Sequence, residues 1–308
     1  MGSFFSVTKK ECDIKPVNDR PIIGILSLDC SDYFSKYGKS YIAASYVKFI
    51  ESAGARVVPI RIDSSKEELE ELFNSVNGVL FPGGGASLAD SGYLTTGKIL
   101  YDLAVKACDS GDRFPLWGAC LGFEMLNVLT SDKDQDEILT SCDAENYSIP
   151  LDFTSDACHS KMFRSAPADI MKTLKEQNVT LNNHIKCIPV EKFWADKKIS
   201  EFFYVLSTNK DRKGLEFIST IEGKKYPFFG TQWHPEKSQF EWEPKEAIDH
   251  SPDAIRIGQY MANFFVNQAR GNTHKFSTEE EEEKALIYKY NPTNTSEYST
   301  FDQCYFFQ

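Results

Sequence analysis

The sequence has no long apolar run. Across 308 residues no stretch of 18 consecutive apolar residues occurs, and the nearest candidate, Tyr41 to Ile50, is short and carries Lys48; a membrane-spanning helix is excluded. There is no surplus of positive charge either. Lys and Arg number 34 against 45 Asp and Glu, a formal net charge of −11, which argues against a protein that grips nucleic-acid phosphate backbones. The eight cysteines (Cys12, Cys30, Cys108, Cys120, Cys142, Cys158, Cys187 and Cys304) include no CxxC pair, so neither a zinc ribbon nor a dithiol redox motif is expected. Their even number permits disulfides without requiring them. No His, Cys and Asp cluster has metal-ligand spacing, and no metal or organic cofactor is called for.

What is present is ordinary globular composition, 41% hydrophobic and 26% charged, which rules out a mostly disordered chain. Met1–Val7 is too short an apolar run for a signal-peptide core; either the protein is cytosolic or a signal has been removed. Three sequons, at Asn146, Asn178 and Asn294, are compatible with secretion but hardly exceed chance. No repeat or low-complexity linker divides the chain. The reading is an N-terminal segment, 1–20, and a single domain, 21–308, that ends in an acidic extension.

The first half alternates strand-like and helix-like segments. Pro21–Leu26, Arg56–Ile60, Gly78–Phe81 and Phe114–Trp117 read as short buried strands. Helical spacing covers Tyr41–Ala53, a stretch capped by Ser64-Ser65 and running to about Phe73, about Lys98 to Cys108, and a segment from Leu121. Strands separated by helices imply right-handed βαβ crossovers. The predicted fold is therefore α/β, a doubly wound, mostly parallel sheet with helices on both faces. In the second half, 131–165 reads as loops and short strands. Leu215–Ile221 and Pro227–Gln232 read as antiparallel strands that extend the sheet, Ala254–Ala269 as an amphipathic helix, and Glu279–Glu283 as a solvated acidic run.

Trp117-Gly-Ala-Cys-Leu-Gly122 is the sharpest feature. Cys120 sits in a strand-to-helix turn between two glycines, the pattern of a nucleophile elbow, which lifts one side chain above the sheet. The helix dipole is expected to lower the thiol pKa there, and the N–H of Leu121 to stabilise an oxyanion. A thiol nucleophile needs a base. Of five histidines only His234 follows a predicted strand, in Gln232-Trp-His-Pro-Glu236. Pro235 favours an extended His234, which would let Glu236 reach its ring as the orienting carboxylate. Phe81-Pro-Gly-Gly-Gly85 lacks the residues of a P-loop; beside a nucleophile its N–H groups, Gly84 among them, fit an oxyanion hole.

These segments, in this order, resemble the class I glutamine amidotransferase-like fold. The match is closer still to the γ-glutamyl hydrolase family, peptidase family C26. Tyr41-Ile-Ala-Ala-Ser-Tyr46 and its continuation to Pro59, Gly118-Ala-Cys-Leu-Gly-Phe-Glu124, Gln232-Trp-His-Pro-Glu-Lys237, Phe264–Arg270 and Glu283–Tyr288 carry the resemblance, which runs from about Pro21 to the C-terminus. It implies Cys120 as nucleophile, His234 as its base and Glu236 as the third member, with Tyr46, Glu124 and His184 at the substrate site. It also implies a folylpoly-γ-glutamate or other γ-glutamyl substrate and a homodimer. Delivery to lysosome, vacuole or extracellular space through a removed signal peptide is implied too, with the cytosol as the alternative.

The implied reaction is hydrolysis of a γ-glutamyl amide through a Cys120 thioester. A polyanionic tail sits awkwardly with a charge of −11, so an acidic compartment or a local basic patch is expected; Lys36, Lys39, Lys161 and Arg164 are the candidates. A glutaminase subunit supplying ammonia to a separate synthase is the alternative. Against it, glutaminases usually carry Gln where Glu124 stands, and the 72 residues after Glu236 are too few for an attached synthetase domain. A non-catalytic binding relative should have lost one of the three catalytic side chains, and all three are present.

Overall fold

The structure, a computed structural model, describes residues 18–131 and 133–308. Most of the expected N-terminal segment, including Cys12 and the run read for a signal peptide, lies outside the described residues.

Short apolar runs bounded by turn residues become buried strands. β1 (Ile22–Leu26) is buried along its whole length, as a parallel strand covered on both faces must be. After β2 (Leu28–Asp29), β3 (Ser40–Ala43) leads directly into α1 (Ala44–Ser52). The helix expected from Tyr41 thus starts later, because Tyr41, Ile42 and Ala43 pair with Phe306, Tyr305 and Cys304 near the other end of the chain. β4 (Arg56–Ile60) follows, and then α2 (Lys66–Phe73), opened by a capping box in which the Ser65 hydroxyl and the Glu68 carboxylate each accept the other's backbone N–H.

β5 (Val79–Phe81) precedes α3 (Gly92–Asp109), which begins six residues before the expected Lys98. Ser91 accepts from Leu94 N, and the Asp29 carboxylate accepts from Gly92 N and Tyr93 N at 3.0 and 2.9 Å. A side chain from another element therefore satisfies first-turn donors that would otherwise be unpaired. β6 (Leu116–Ala119) and α4 (Leu121–Thr130) enclose the cysteine turn.

The stretch read as loops and short strands holds α5 (Gln135–Ile138), the ten-residue β7 (Thr140–Ile149) and β8 (Asp152–Phe153). β7 is largely half-exposed and pairs, with two register shifts, only with β9 (Thr180–Cys187), which follows α6 (Ala168–Glu176). Next come α7 (Val190–Ala195), α8 (Lys197–Phe202), β10 (Phe203–Lys210), β11 (Glu216–Gly223), β12 (Phe228–Thr231), α9 (Lys237–Phe240) and α10 (Pro252–Ala269). The acidic run forms α11 (Glu279–Ala285), which buries no residue. β13 (Thr293–Asn294) and β14 (Gln303–Phe307) close the described chain.

Eight strands form the main sheet in the order β4-β1-β5-β6-β12-β11-β10-β8. The first five are mutually parallel and the rest antiparallel. β12, expected in an antiparallel pair, has one: β11 lies antiparallel on one side, while β6 lies parallel on the other. The chain steps from β1 outward to β4, then back past β1 to β5 and β6. Right-handed crossovers place α1 on one face and α2 and α3 on the other, and α1 packs on α10 while α3 packs on α2 and α4. The result is a doubly wound, mostly parallel sheet with an antiparallel extension. It brings the carboxyl ends of β5, β6 and β12 side by side, the usual place for a site in such sheets.

Candidate active site

Between β6 and α4, Cys120 adopts φ +50° and ψ −107°, a backbone that non-glycine residues rarely hold and that marks a strained turn. The glycines flanking it are there for space. A Cβ on Gly122 would lie 2.0 Å from the Phe81 carbonyl oxygen, and one on Gly118 would lie 2.4 Å from that of Gly122. The turn is fastened to the next strand, because Ala119 pairs with Thr231 and Cys120 N donates to Thr231 O at 2.8 Å.

That register delivers the histidine. Three residues past Thr231, His234 Nδ1 stands 2.6 Å from Glu236 Oε1, and both side chains are buried. Extended chain was expected to make this reach. Instead Glu236 has αR backbone (φ −78°, ψ −24°) and is the N-cap residue of α9, so Pro235 and Glu236 close the pair through a turn. Gly83 is the meeting point of the cluster: a Cβ there would lie 2.7 Å from Tyr46 Oη, 2.9 Å from His234 Cε1 and 3.0 Å from Cys120 Cβ. Gly83 N donates to Tyr46 Oη at 2.8 Å, and that oxygen is 3.4 Å from His234 Nδ1. Tyr46, expected at the substrate, is a fully buried neighbour of the histidine.

Gly84, Cys120, Leu121, Glu124, His184 and Lys186 face one cavity of about 530 Å³. Burial pushes the Glu124 carboxyl up to about 8, while a 3.0 Å hydrogen bond from Gln232 Nε2 and the charge of Lys186 pull the other way. The Cys120 thiol was expected to be acidified. Burial instead raises its pKa well above the ordinary range, the charges of Glu124 and Glu236 add to this, and Lys237 and the Leu121 N–H only partly oppose it. A helix terminus offsets less than complete desolvation costs. His184 lies on β9 with Nε2 3.1 Å from Asn182 Oδ1 and Nδ1 2.8 Å from the Lys186 carbonyl. Among the described residues no group of three or more His, Cys, Asp or Glu could hold a metal ion, and no helix is long and apolar enough to cross a membrane.

Residues 21–236 match the peptidase C26 family. The chain belongs to that family. It is 48% identical to human γ-glutamyl hydrolase over 94% of its length and 90% of the relative's. It is 44% identical to γ-glutamyl hydrolase B of Dictyostelium discoideum over 96% and 85%. A solved Trypanosoma brucei CTPS glutaminase domain with bound acivicin superposes with a TM-score of 0.52 at 12% identity, covering 84% of this chain and 97% of that one; that likeness concerns the fold. A C26 peptidase is a hydrolase of the cysteine type, and this one keeps its candidate nucleophile on the strained turn.

Sequence reasoning missed two residues of this candidate site. Gln232 is fully buried, holds Glu124, and lies 4.0 Å from Cys120 Sγ; its place just before the Trp-His-Pro-Glu run was the available signal. Lys186 supplies the cavity's cation, whereas Lys36, Lys39, Lys161 and Arg164 do not line it. A lone lysine on an unrecognised strand carries no local signal. The seven described cysteines are all free thiols.

Proposed function

We propose that this chain hydrolyses γ-glutamyl bonds in folylpoly-γ-glutamates through a Cys120 γ-glutamyl thioester. The observation that carries the reading is the meeting of Cys120, His234 and Gly83 at the ends of three neighbouring strands, with Glu236 already on the histidine. Cys120 Sγ attacks the γ-carbonyl carbon as its proton passes to His234, whose tautomer and orientation Glu236 holds. Because burial favours the neutral thiol, the proton leaves during attack rather than before it. The N–H groups of Leu121 and Gly84 take the developing oxyanion; Gly83 N is engaged by Tyr46 and is spared for neither. His234 then gives its proton to the leaving amine. A water that loses a proton to His234 attacks the thioester carbon, releasing the γ-carboxylate and restoring the Cys120 thiol.

His184 and Lys186 are the groups suited to the substrate's carboxylates. Glu124, neutral at pH 7, can donate a hydrogen bond as well as accept one, where an ionised carboxylate would repel the tail. Of the lysosome, the vacuole and the extracellular space, an acidic lysosome or vacuole suits this chemistry best because it keeps Glu124 protonated and lessens the chain's negative charge.

The test is product analysis on a folate bearing a poly-γ-glutamate tail, with free glutamine as competitor, for wild type and Cys120→Ala at pH 5 and pH 7. Shortening of the tail by wild type alone, with glutamine untouched, is the expected result. Release of ammonia from glutamine with the tail intact would make the chain a glutaminase subunit and overturn the proposal.

A further inference from the structure

Beside His184 lies a second thiol site. Cys187 is completely buried with Ala144 and Phe217, and Cys142 and Leu215 pack against that cluster. Cys142 and Cys187 belong to the two strands of one antiparallel ribbon; Thr140 pairs with Cys187 and Ser141 with Lys186, and the register shifts between Ser141 and Ala144. This shift turns Cys142 inward. Its Sγ lies 3.4 Å from His184 Nδ1, and Cys142 packs against the buried cluster that holds Cys187. The CxxC spacing that announces a dithiol in sequence is absent because the two thiols meet across strands.

The histidine distinguishes the two sulfurs. His184 Nδ1 faces the Lys186 carbonyl at 2.8 Å and Nε2 faces Asn182 Oδ1 at 3.1 Å. The Asn182 amide nitrogen is committed to the carbonyls of Thr180 and Tyr147, so its oxygen is the atom presented to the ring. Both ring nitrogens therefore meet acceptors. A cation there favours thiolate on Cys142. Consistent with this, the hydrogen bond from Cys187, joined by His184, brings the Cys142 thiol down to about 6 against the effect of burial, while its bond to Cys142 and burial keep Cys187 protonated. Half-buried Cys142 is open to a small reagent, and buried Cys187 has Cys142 as its accessible partner.

We propose that Cys142 and Cys187 are a redox-active dithiol that takes a small-molecule disulfide, and that its oxidation removes a negative charge from beside His184 at the catalytic cavity. The Cys142 thiolate attacks one sulfur of the reagent; a mixed disulfide forms, the reagent's S–S bond breaks, and one thiolate leaves with the bonding electrons. Cys187 then loses its proton to solvent and attacks Cys142 Sγ. The Cys142–Cys187 bond forms and the second reagent thiolate departs. Two protein thiols are oxidised and one reagent disulfide is reduced to two thiols. With the thiolate gone, His184 faces the cavity uncompensated and draws an anionic substrate more strongly. That last effect rests on the proposed γ-glutamyl substrate, whereas the disulfide does not.

The full chain carrying Cys120→Ala is treated with oxidised glutathione, alkylated, digested and weighed. The expected result is a Cys142–Cys187 cross-linked peptide, lighter by two hydrogens than the two free thiols and split by dithiothreitol. Free alkylated Cys187 after treatment, with or without glutathione on Cys142, would overturn the dithiol. With Cys120 intact, oxidation is expected to lower KM for the poly-γ-glutamate tail reversibly, whereas Cys142→Ser shows the low KM throughout and Cys142→Asp the high one. A KM that oxidation leaves unchanged or raises would overturn the coupling to His184. A failure of the substrate reading itself shows as no tail cleavage at all, with the mass result still standing.

Discussion

At the carboxyl ends of β5, β6 and β12 the backbone is held from both sides. Gly122 is pressed against Phe81, Cys120 is bonded to Thr231, and His234 N is bonded to Leu181 O at 2.9 Å. Across the cavity the antiparallel β7–β9 ribbon has two strands, two register shifts and a largely half-exposed β7. Yet this ribbon contributes His184 and Lys186. The proposed bond-breaking groups must be held to a fraction of an ångström, and they stand at the ends of central strands with closely packed turns. Groups that attract a charged, extended substrate act over longer distances and tolerate a looser support. The difference predicts which substitutions damage kcat and which damage KM.

The largest expected effect comes from the strand ends. Cys120→Ala should lower kcat by roughly 10⁵-fold or more, read as loss of product from the poly-γ-glutamate tail. Glu236→Gln should cost on the order of 10⁴-fold in kcat, by the loss of the carboxylate that orients the base, with little change in KM. On β9, Lys186→Ala should raise KM about tenfold, near 1.4 kcal/mol, and leave kcat close to wild type. A kcat loss at Lys186 as large as that at Glu236 would break the comparison.

The smallest effect is the pH dependence of Glu124. Its folded-state pKa, near 8, is raised above the ordinary 4.5 by burial, so the folded chain keeps a proton that the unfolded chain loses. The stability this group contributes is fully present below about pH 4.5 and is lost as pH rises through about 8. Glu124→Gln should therefore flatten the decline of Tm across that window. It should also soften the alkaline fall in kcat/KM, since ionised Glu124 opposes formation of the Cys120 thiolate. A Tm–pH curve identical to wild type would show that Glu124 does not hold its proton.

Much of the parallel half was legible. β1 and β4 are continuous apolar runs because both faces of a parallel strand are covered, and Ser65-Lys-Glu-Glu68 announced the start of α2 by its capping chemistry. The cysteine turn was legible from its two glycines and nucleophile, although only Gly118 meets a demand of the turn itself, leaving room for the Gly122 carbonyl, while Gly122 leaves room for Phe81 of β5. Elements fixed by distant partners were not. β3 read as helix because its pairing with β14 lies in no local window. α3 began early because Asp29 caps it from β2. The ten-residue β7 was not legible within a stretch that read as loops and short strands, because a half-exposed, register-shifted strand shows no clean alternation.

The candidate site divides in the same way. Residue order alone announced the Cys120 turn, the nearness of His234 to Glu236 and the glycine loop, because the residue types that mark each lie within a few residues of one another. The tertiary structure decided that these three arrive at one point, through the strand order β5-β6-β12. It decided that β9 brings His184 and Lys186 to face them, and that Tyr46 stands behind the histidine. It also decided the protonation of Cys120 and Glu124, because desolvation is set by whatever the rest of the chain packs around a group, and no local pattern records that.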